Sequence, residues 1–213
     1  MVFIASDEIE RYAEAHTTPP SDLLVRLVEE TRADLRSPTM LSGAVAGRLL
    51  ELIVFALRPE RVLELGTYSG YSAISMASVL PPGGHIDTCE VDETHAAVAR
   101  RYLDEAGLGD RVTVHLGPAL ETIGRLEGEF DLIFVDADKV SYPAYYDALL
   151  PRLSARGIMV LDNTLWSGRV VDDPAGSPET RMFVELNERI ASDPNVVAVV
   201  LTVRDGITLL RKS

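Results

Sequence analysis

A chain of 213 residues, 46% of them apolar, holds enough material for one sizeable core, and no Gly/Ser- or Pro-rich tract separates two halves, which points to a single domain over residues 1–213. Thirty-three acidic residues against twenty basic ones give a net charge of −13, which repels a phosphate backbone and disfavours nucleic acid as a partner. The apolar stretches, such as residues 49–57, carry a charge and fall short of the roughly 20 residues a bilayer span needs. The start lacks the basic flank and long apolar region of a secretory signal, so the expected location is the cytoplasm with no membrane partner.

In chain order, residues 1–57 read as a helical annex. Asp7 and Glu10 stand at capping-box spacing, Ser21 follows two prolines as a second cap, and Pro59 closes a third helix. Residues 61–213 then alternate short β-branched runs with helical-period segments. The runs are RVLEL (61–65), HIDTCEV (85–91), RVTVHL (111–116), FDLIFVD (130–136) and GIMVLD (157–162); helices are predicted near 70–80, 93–106, 118–126, 142–153 and 178–192. Such alternation implies a parallel sheet with helices on both faces, joined by right-handed crossovers. The end breaks the pattern: VVAVVLTV (196–203) and ITLLRK (207–212) flank Arg204-Asp205-Gly206, and Asp-Gly signals a two-residue hairpin, so the last strands should be antiparallel. The sum is a Rossmann-like α/β fold with a mainly parallel seven-stranded sheet. The single cysteine, Cys89, excludes an internal disulfide and reads as a buried strand residue.

Strand one runs into Glu64-Leu65-Gly66-Thr67-Tyr68-Ser69-Gly70-Tyr71-Ser72 and then a helix, presenting backbone amides at the carboxyl edge of the sheet. This is the position of a nucleotide-cofactor site. A dinucleotide fingerprint needs a glycine where Tyr68 stands, which disfavours a pyrophosphate and, with it, a nicotinamide oxidoreductase. A nucleoside cofactor without phosphate tolerates that tyrosine, and Glu64 suits a positively charged ligand such as S-adenosylmethionine. Glu90, at the end of strand two, stands where an acid would accept hydrogen bonds from both ribose hydroxyls.

The ends of strands four and five carry Asp136-Ala137-Asp138-Lys139 and Asp162-Asn163-Thr164-Leu165-Trp166, both expected on the cofactor edge. Asp136, Asp162 and Asn163 offer hard oxygen donors, which favour magnesium, manganese or calcium over zinc. Asp138 reads equally as a helix cap. The histidines, His16, His85, His95 and His115, show no ligand spacing and read as structural or exposed.

VLELGTYSGYSA, CEVD, GPALETI, DADK and DNTLWSGRVV, at these intervals, resemble the cation-dependent O-methyltransferases that include caffeoyl-CoA O-methyltransferase and the bacterial relatives of catechol O-methyltransferase. The resemblance covers roughly residues 20–213. It implies a class I methyltransferase fold, a homodimer in many members, and methylation of one hydroxyl of a catechol-like small molecule. It further implies that Met40, Ser42, Glu64, Gly66, Ser72, Glu90, Ala119, Asp136, Asp138 and Tyr145 line the S-adenosylmethionine site. Asp136, Asp162 and Asn163 would hold a divalent cation, magnesium first and manganese or calcium as alternatives. Asp136 and Lys139 would be catalytic, the lysine removing or electrostatically compensating the phenolic proton. Met40, Trp166 and Ser167 would face the substrate. Departures from the family pattern bear on the acceptor: Ser141 and Ser167 stand where asparagine is usual, Arg156 replaces a glycine and Arg48 a glutamine. The alternative reading is a tRNA hydroxyuridine O-methyltransferase with the same fold and cofactor, which the acidity disfavours.

Overall fold

The computed structural model describes residues 4–37 and 40–213. Three helices come first: α1 (Asp7–Ala15), α2 (Asp22–Asp34) and α3 (Gly43–Leu57). Then follow β1 (Arg61–Leu65), α4 (Tyr71–Ala77), β2 (His85–Glu90), α5 (Glu93–Glu105), β3 (Val112–Leu116), α6 (Ala119–Arg125), β4 (Phe130–Val135), α7 (Tyr142–Leu149), β5 (Leu153–Asp162), α8 (Arg169–Asp172), α9 (Pro178–Ser192), β6 (Val196–Leu201) and β7 (Ile207–Lys212). Among the described residues no helix is long and apolar enough to cross a membrane. The strands make a seven-stranded mixed sheet, mostly parallel with an antiparallel C-terminal pair, as the alternation of runs implied.

The chain divides into two compact units. Residues 13–127 form the first, in which β2 lies between β1 and β3, parallel to both. Helix α5 packs on β2 and β3, and α6 on β2. Ser21 caps α2 through the Leu24 N–H, as expected from the two prolines before it. Helix α3 ends at Leu57 with Arg58 left-handed (φ +53°), and Pro59 prevents its continuation. Arg48 is a brace within this unit, donating to Thr18 O at 3.1 Å and to Pro19 O at 2.5 Å.

The second unit comprises Gly128–Ser213 with the described residues of the first twelve. Here β4 pairs in parallel with β5, β5 antiparallel with β7, and β7 antiparallel with β6. The apolar run of β4 is buried almost throughout, as a strand covered on both faces must be, whereas β6 leaves four of its six residues exposed.

Three local expectations shift. The first helix begins at Asp7 with Ser6 as its cap, Ser6 Oγ accepting from the Ile9 N–H, so Asp7 is the first helical residue rather than the cap. The helix expected over 142–153 stops at Leu149 because Pro151 cannot supply the next helical N–H, and β5 starts four residues early at Leu153. The terminal turn spans five residues, 202–206, because Leu201 pairs with Ile207 and the Arg-Asp-Gly segment folds inward; the antiparallel direction is as expected.

Candidate active site

The donor half is built within residues 13–127. After β1 the chain turns at Gly66 (φ +98°), and the N–H groups of Gly66 and Thr67 both donate to Cys89 O, at 3.0 and 3.1 Å. This pins the glycine loop to the end of β2. Tyr68 is left-handed (φ +48°) and buried; its hydroxyl donates to Arg36 O at 2.9 Å and its ring meets His95 edge-on at 4.7 Å. At Gly70 (φ +93°) an added Cβ would lie 3.1 Å from Ala99 Cβ, so glycine is required both for the turn and for the approach of α5.

Glu90 is held by three amides: Tyr68 N–H donates to Oε2 at 2.7 Å, and the Val91 and Asp92 N–H groups donate to Oε1 at 2.9 Å each. A carboxylate has about four acceptor positions, so one more donor can be taken in full and two ribose hydroxyls would share it. Glu64 is fully buried at the end of β1, and Thr88 Oγ1 donates to its Oε2 at 2.5 Å. That commits the Thr88 proton, making Thr67 the donor in its 2.6 Å contact with Thr88. Ser72, in the first turn of α4, is buried, as are Ala119 at the start of α6 and Ser42 just before α3; Met40 is half-exposed. Cys89 lies in the core, where burial foremost pushes its thiol up to about 12.

The acceptor half is built within the second unit. Lys139 Nζ reaches back to Asp136 Oδ1 at 2.8 Å and to the Tyr142 hydroxyl at 3.1 Å. That hydroxyl in turn shares its proton between Val135 O and Asp162 O, each at 3.1 Å, tying the ends of β4 and β5 together. Asp162 is buried and its carboxyl is pushed up to about 7, first by burial and then by the neighbouring charge of Asp136, against the opposing pull of Arg204 and Lys139. Burial works to lower the Lys139 ammonium, but Asp136 and Tyr142 more than offset this and hold it above its ordinary value. Asp138 accepts from the Tyr145 hydroxyl, and no side-chain cap at Asp138 forms. Asn163 (φ +63°), Trp166 (φ +46°) and Ser167 (φ +55°) are all left-handed, a concentration of backbone strain typical of functional loops. The Trp166 ring packs on Phe183 at 5.3 Å between centroids, with the Arg169 guanidinium 5.4 Å above it. Among the described residues no group of three or more His, Cys, Asp or Glu side chains is placed to hold a metal. A cation here would rest on two carboxylates and the Asn163 amide.

The sequence profile of the O-methyltransferase family matches residues 14–213. The chain belongs to the O-methyltransferase family. It is 30% identical to caffeoyl-CoA O-methyltransferase of Petroselinum crispum, over 98% of this chain and 92% of that protein. The fold is shared with an S-adenosylhomocysteine-bound methyltransferase of Podospora anserina (32% identity, TM-score 0.89, 97% of this chain and 94% of the other). It is also shared with an O-methyltransferase of tomaymycin synthesis from Streptomyces achromogenes, solved with S-adenosylmethionine (29% identity, TM-score 0.87, 97% and 96%). The protein is thus an S-adenosylmethionine-dependent O-methyltransferase with a Rossmann-like fold.

In this O-methyltransferase the sequence reading passed over one acidic residue of the acceptor half, Asp205, seen only as part of a hairpin signal. It is buried, which pushes its carboxyl above the ordinary value, and it accepts from the Ser167 N–H.

Proposed function

We propose that the enzyme transfers a methyl group from S-adenosylmethionine to one hydroxyl of a catechol-like vicinal diol, with a divalent cation held by Asp136, Asp162 and Asn163. Magnesium is the foremost candidate, with manganese and calcium as alternatives. The supporting observation is the Asp162 carboxyl, buried beside Asp136 and raised to about 7. Two like charges in a buried setting are costly, and a hard cation relieves that cost while matching an all-oxygen donor set. The caffeoyl group named for the parsley relative carries such a diol.

When bound, the cation lowers the pKa of a coordinated hydroxyl and S-adenosylmethionine supplies an electrophilic methyl group. The chain's own residues do the rest. Glu90, fixed by three amides, accepts from the ribose, with Met40, Ser42, Glu64, Gly66, Ser72 and Ala119 completing the donor half. Lys139 stays protonated, so it compensates negative charge on the acceptor oxygen rather than removing its proton. Trp166 offers an aromatic wall and Ser167 a short polar one for the acceptor ring. Alignment of oxygen, methyl carbon and sulfur is then the major contribution to rate.

A methyl-transfer assay on catechol and phenol, with and without chelator, tests the reading. Turnover is expected on catechol alone, lost in excess chelator, and lost in Asp162→Ala with S-adenosylmethionine affinity preserved. Equal rates on the two acceptors, or full activity in chelator, would overturn it.

A homodimer is part of the same proposal. Leu52 and Phe55 of α3 are 63% and 66% exposed, and Val197, Val199 and Val200 of β6 about half exposed, apolar surface that a second copy would cover. Light scattering at micromolar concentration should report twice the chain mass; a monomer there removes the dimer from the proposal.

A further inference from the structure

Two residues of α9, four apart and so on one face of the helix, reach the loop that carries Asn163. Phe183 is buried, its ring centroid 5.3 Å from that of Trp166 and 5.2 Å from that of Tyr142. Asn187 Nδ2 donates to Thr164 O at 2.7 Å. The turn before β7 holds the same stretch from elsewhere: Thr164 N–H donates to Gly206 O and Leu165 N–H to Asp205 O, each at 3.0 Å, and Thr208 Oγ1 donates to Thr164 Oγ1 at 2.9 Å. Trp166 N–H donates to Asn163 O at 2.9 Å, and Asn163 N–H to Asp162 Oδ1 at 2.8 Å. The peptide groups on both sides of Thr164 are thus bonded, and the Thr164 carbonyl is held by the Asn187 side chain.

We infer that Asn187 is a positioning residue for the proposed metal centre: it fixes the backbone next to Asn163 and, through it, the direction of the Asn163 side chain. The inference rests on the cation reading above. A carbonyl only accepts hydrogen bonds, so the Asn187 amide must present its nitrogen here, and an acceptor-only side chain could not replace it. Asn163 is left-handed (φ +63°), a conformation that a residue with a Cβ keeps only where its surroundings hold it. Thr164 is fully buried, so its carbonyl has no water to turn to, and without Asn187 the peptide between Thr164 and Leu165 rotates toward another donor. That rotation loosens the anchor on the C-terminal side of Asn163, and the strained residue relaxes. Its side chain swings, and its N–H withdraws from Asp162 Oδ1, so two of the three proposed ligands lose their fixed directions together. Asn187 acts through one carbonyl and is itself no ligand.

Asn187→Leu keeps the bulk and removes the donor; Asn187→Ala removes the donor without adding bulk. Ile190→Val is the control, because Ile190 is buried on the same helix and loses only packing. Mn2+ alone is titrated into each metal-free protein at a temperature where all are folded, and binding is followed by loss of the free-ion resonance. The unsubstituted chain should bind, and affinity should be about 10-fold weaker in both Asn187 variants, the lower end of the range usual for partners of metal ligands, and unchanged in Ile190→Val. S-adenosylmethionine affinity should stay within twofold throughout. Mn2+ affinity within twofold of the unsubstituted chain in either Asn187 variant overturns the inference and leaves the cation reading intact. Equal weakening in Ile190→Val, or an equal loss of S-adenosylmethionine affinity in the Asn187 variants, would assign Asn187 to the fold alone and overturn the inference as well. If the unsubstituted chain binds no Mn2+, the cation reading fails and takes this inference with it.

Discussion

The donor and acceptor halves both place carboxylates at strand ends, yet they hold them in opposite ways. Glu90 is held by three backbone N–H groups and Glu64 accepts from a threonine hydroxyl, neutral donors fixed by the fold itself. Asp136 and Asp162 are instead set against each other, tempered by Lys139 and Arg204, and Asp162 is left with a carboxyl near 7. Neutral dipoles hold a charge at any ordinary pH and in any salt. Opposed charges hold a balance that a proton or a cation can tip. The first half is preorganised, and the second is poised.

The sharper break of this contrast comes from Glu90→Ala. It should weaken S-adenosylmethionine binding by about 1–3 kcal/mol, the usual cost of a lost charged hydrogen bond together with three unpaired amides. Calorimetry measures it, and the same weakening should appear with or without divalent cation, because nothing in the donor half depends on one. A cation-dependent difference would show that the halves are not built on separate principles.

A smaller effect probes the acceptor half through pH. The Asp162 carboxyl rises from an ordinary value of 3.8 to about 7 on folding, so between those limits the folded chain binds more protons than the unfolded one. Its contribution to stability is therefore present below pH 3.8 and is lost as pH rises toward 7. In metal-free protein this component should lower the melting midpoint by a few degrees from pH 5 to pH 8, and Mg2+ or Mn2+ should restore more at pH 8 than at pH 5. Differential scanning calorimetry on the enzyme and on Asp162→Asn isolates the component; the same pH slope in both proteins would show that Asp162 does not carry it.

The two halves were also unequally legible. Glu64, Gly66, Gly70 and Glu90 lie within one βαβ unit, where spacing along the chain fixes position in space, and the glycine loop could be placed from its letters. The strand-tip positions of Asp136, Asp162 and Asn163 were legible for the same reason, each lying at the end of an apolar run. Tyr68 was read from the sequence as an obstacle to pyrophosphate, but its hydrogen bond to Arg36 O depends on a contact 32 residues away. Asp205 is more distant still: 38 residues separate it from Ser167, and Asp-Gly carries so strong a local turn signal that burial of the aspartate leaves no trace in the pattern. The early start of β5 was hidden because residues 153–156 mix polar and apolar letters, and only pairing of Leu153 with Phe130 shows them to be strand.

The inward fold of residues 204–206 has a consequence for biosynthesis. The glycine loop, Glu90 and both strand-tip aspartates all precede residue 163, but Asp205, in the turn that grips Thr164, Leu165 and Ser167, is made 38 residues after Ser167. A nascent chain halted at residue 203 would hold all of those residues while leaving the 163–167 loop without its clamp. The order of synthesis thus leaves this loop unheld until residues 204–206 have emerged.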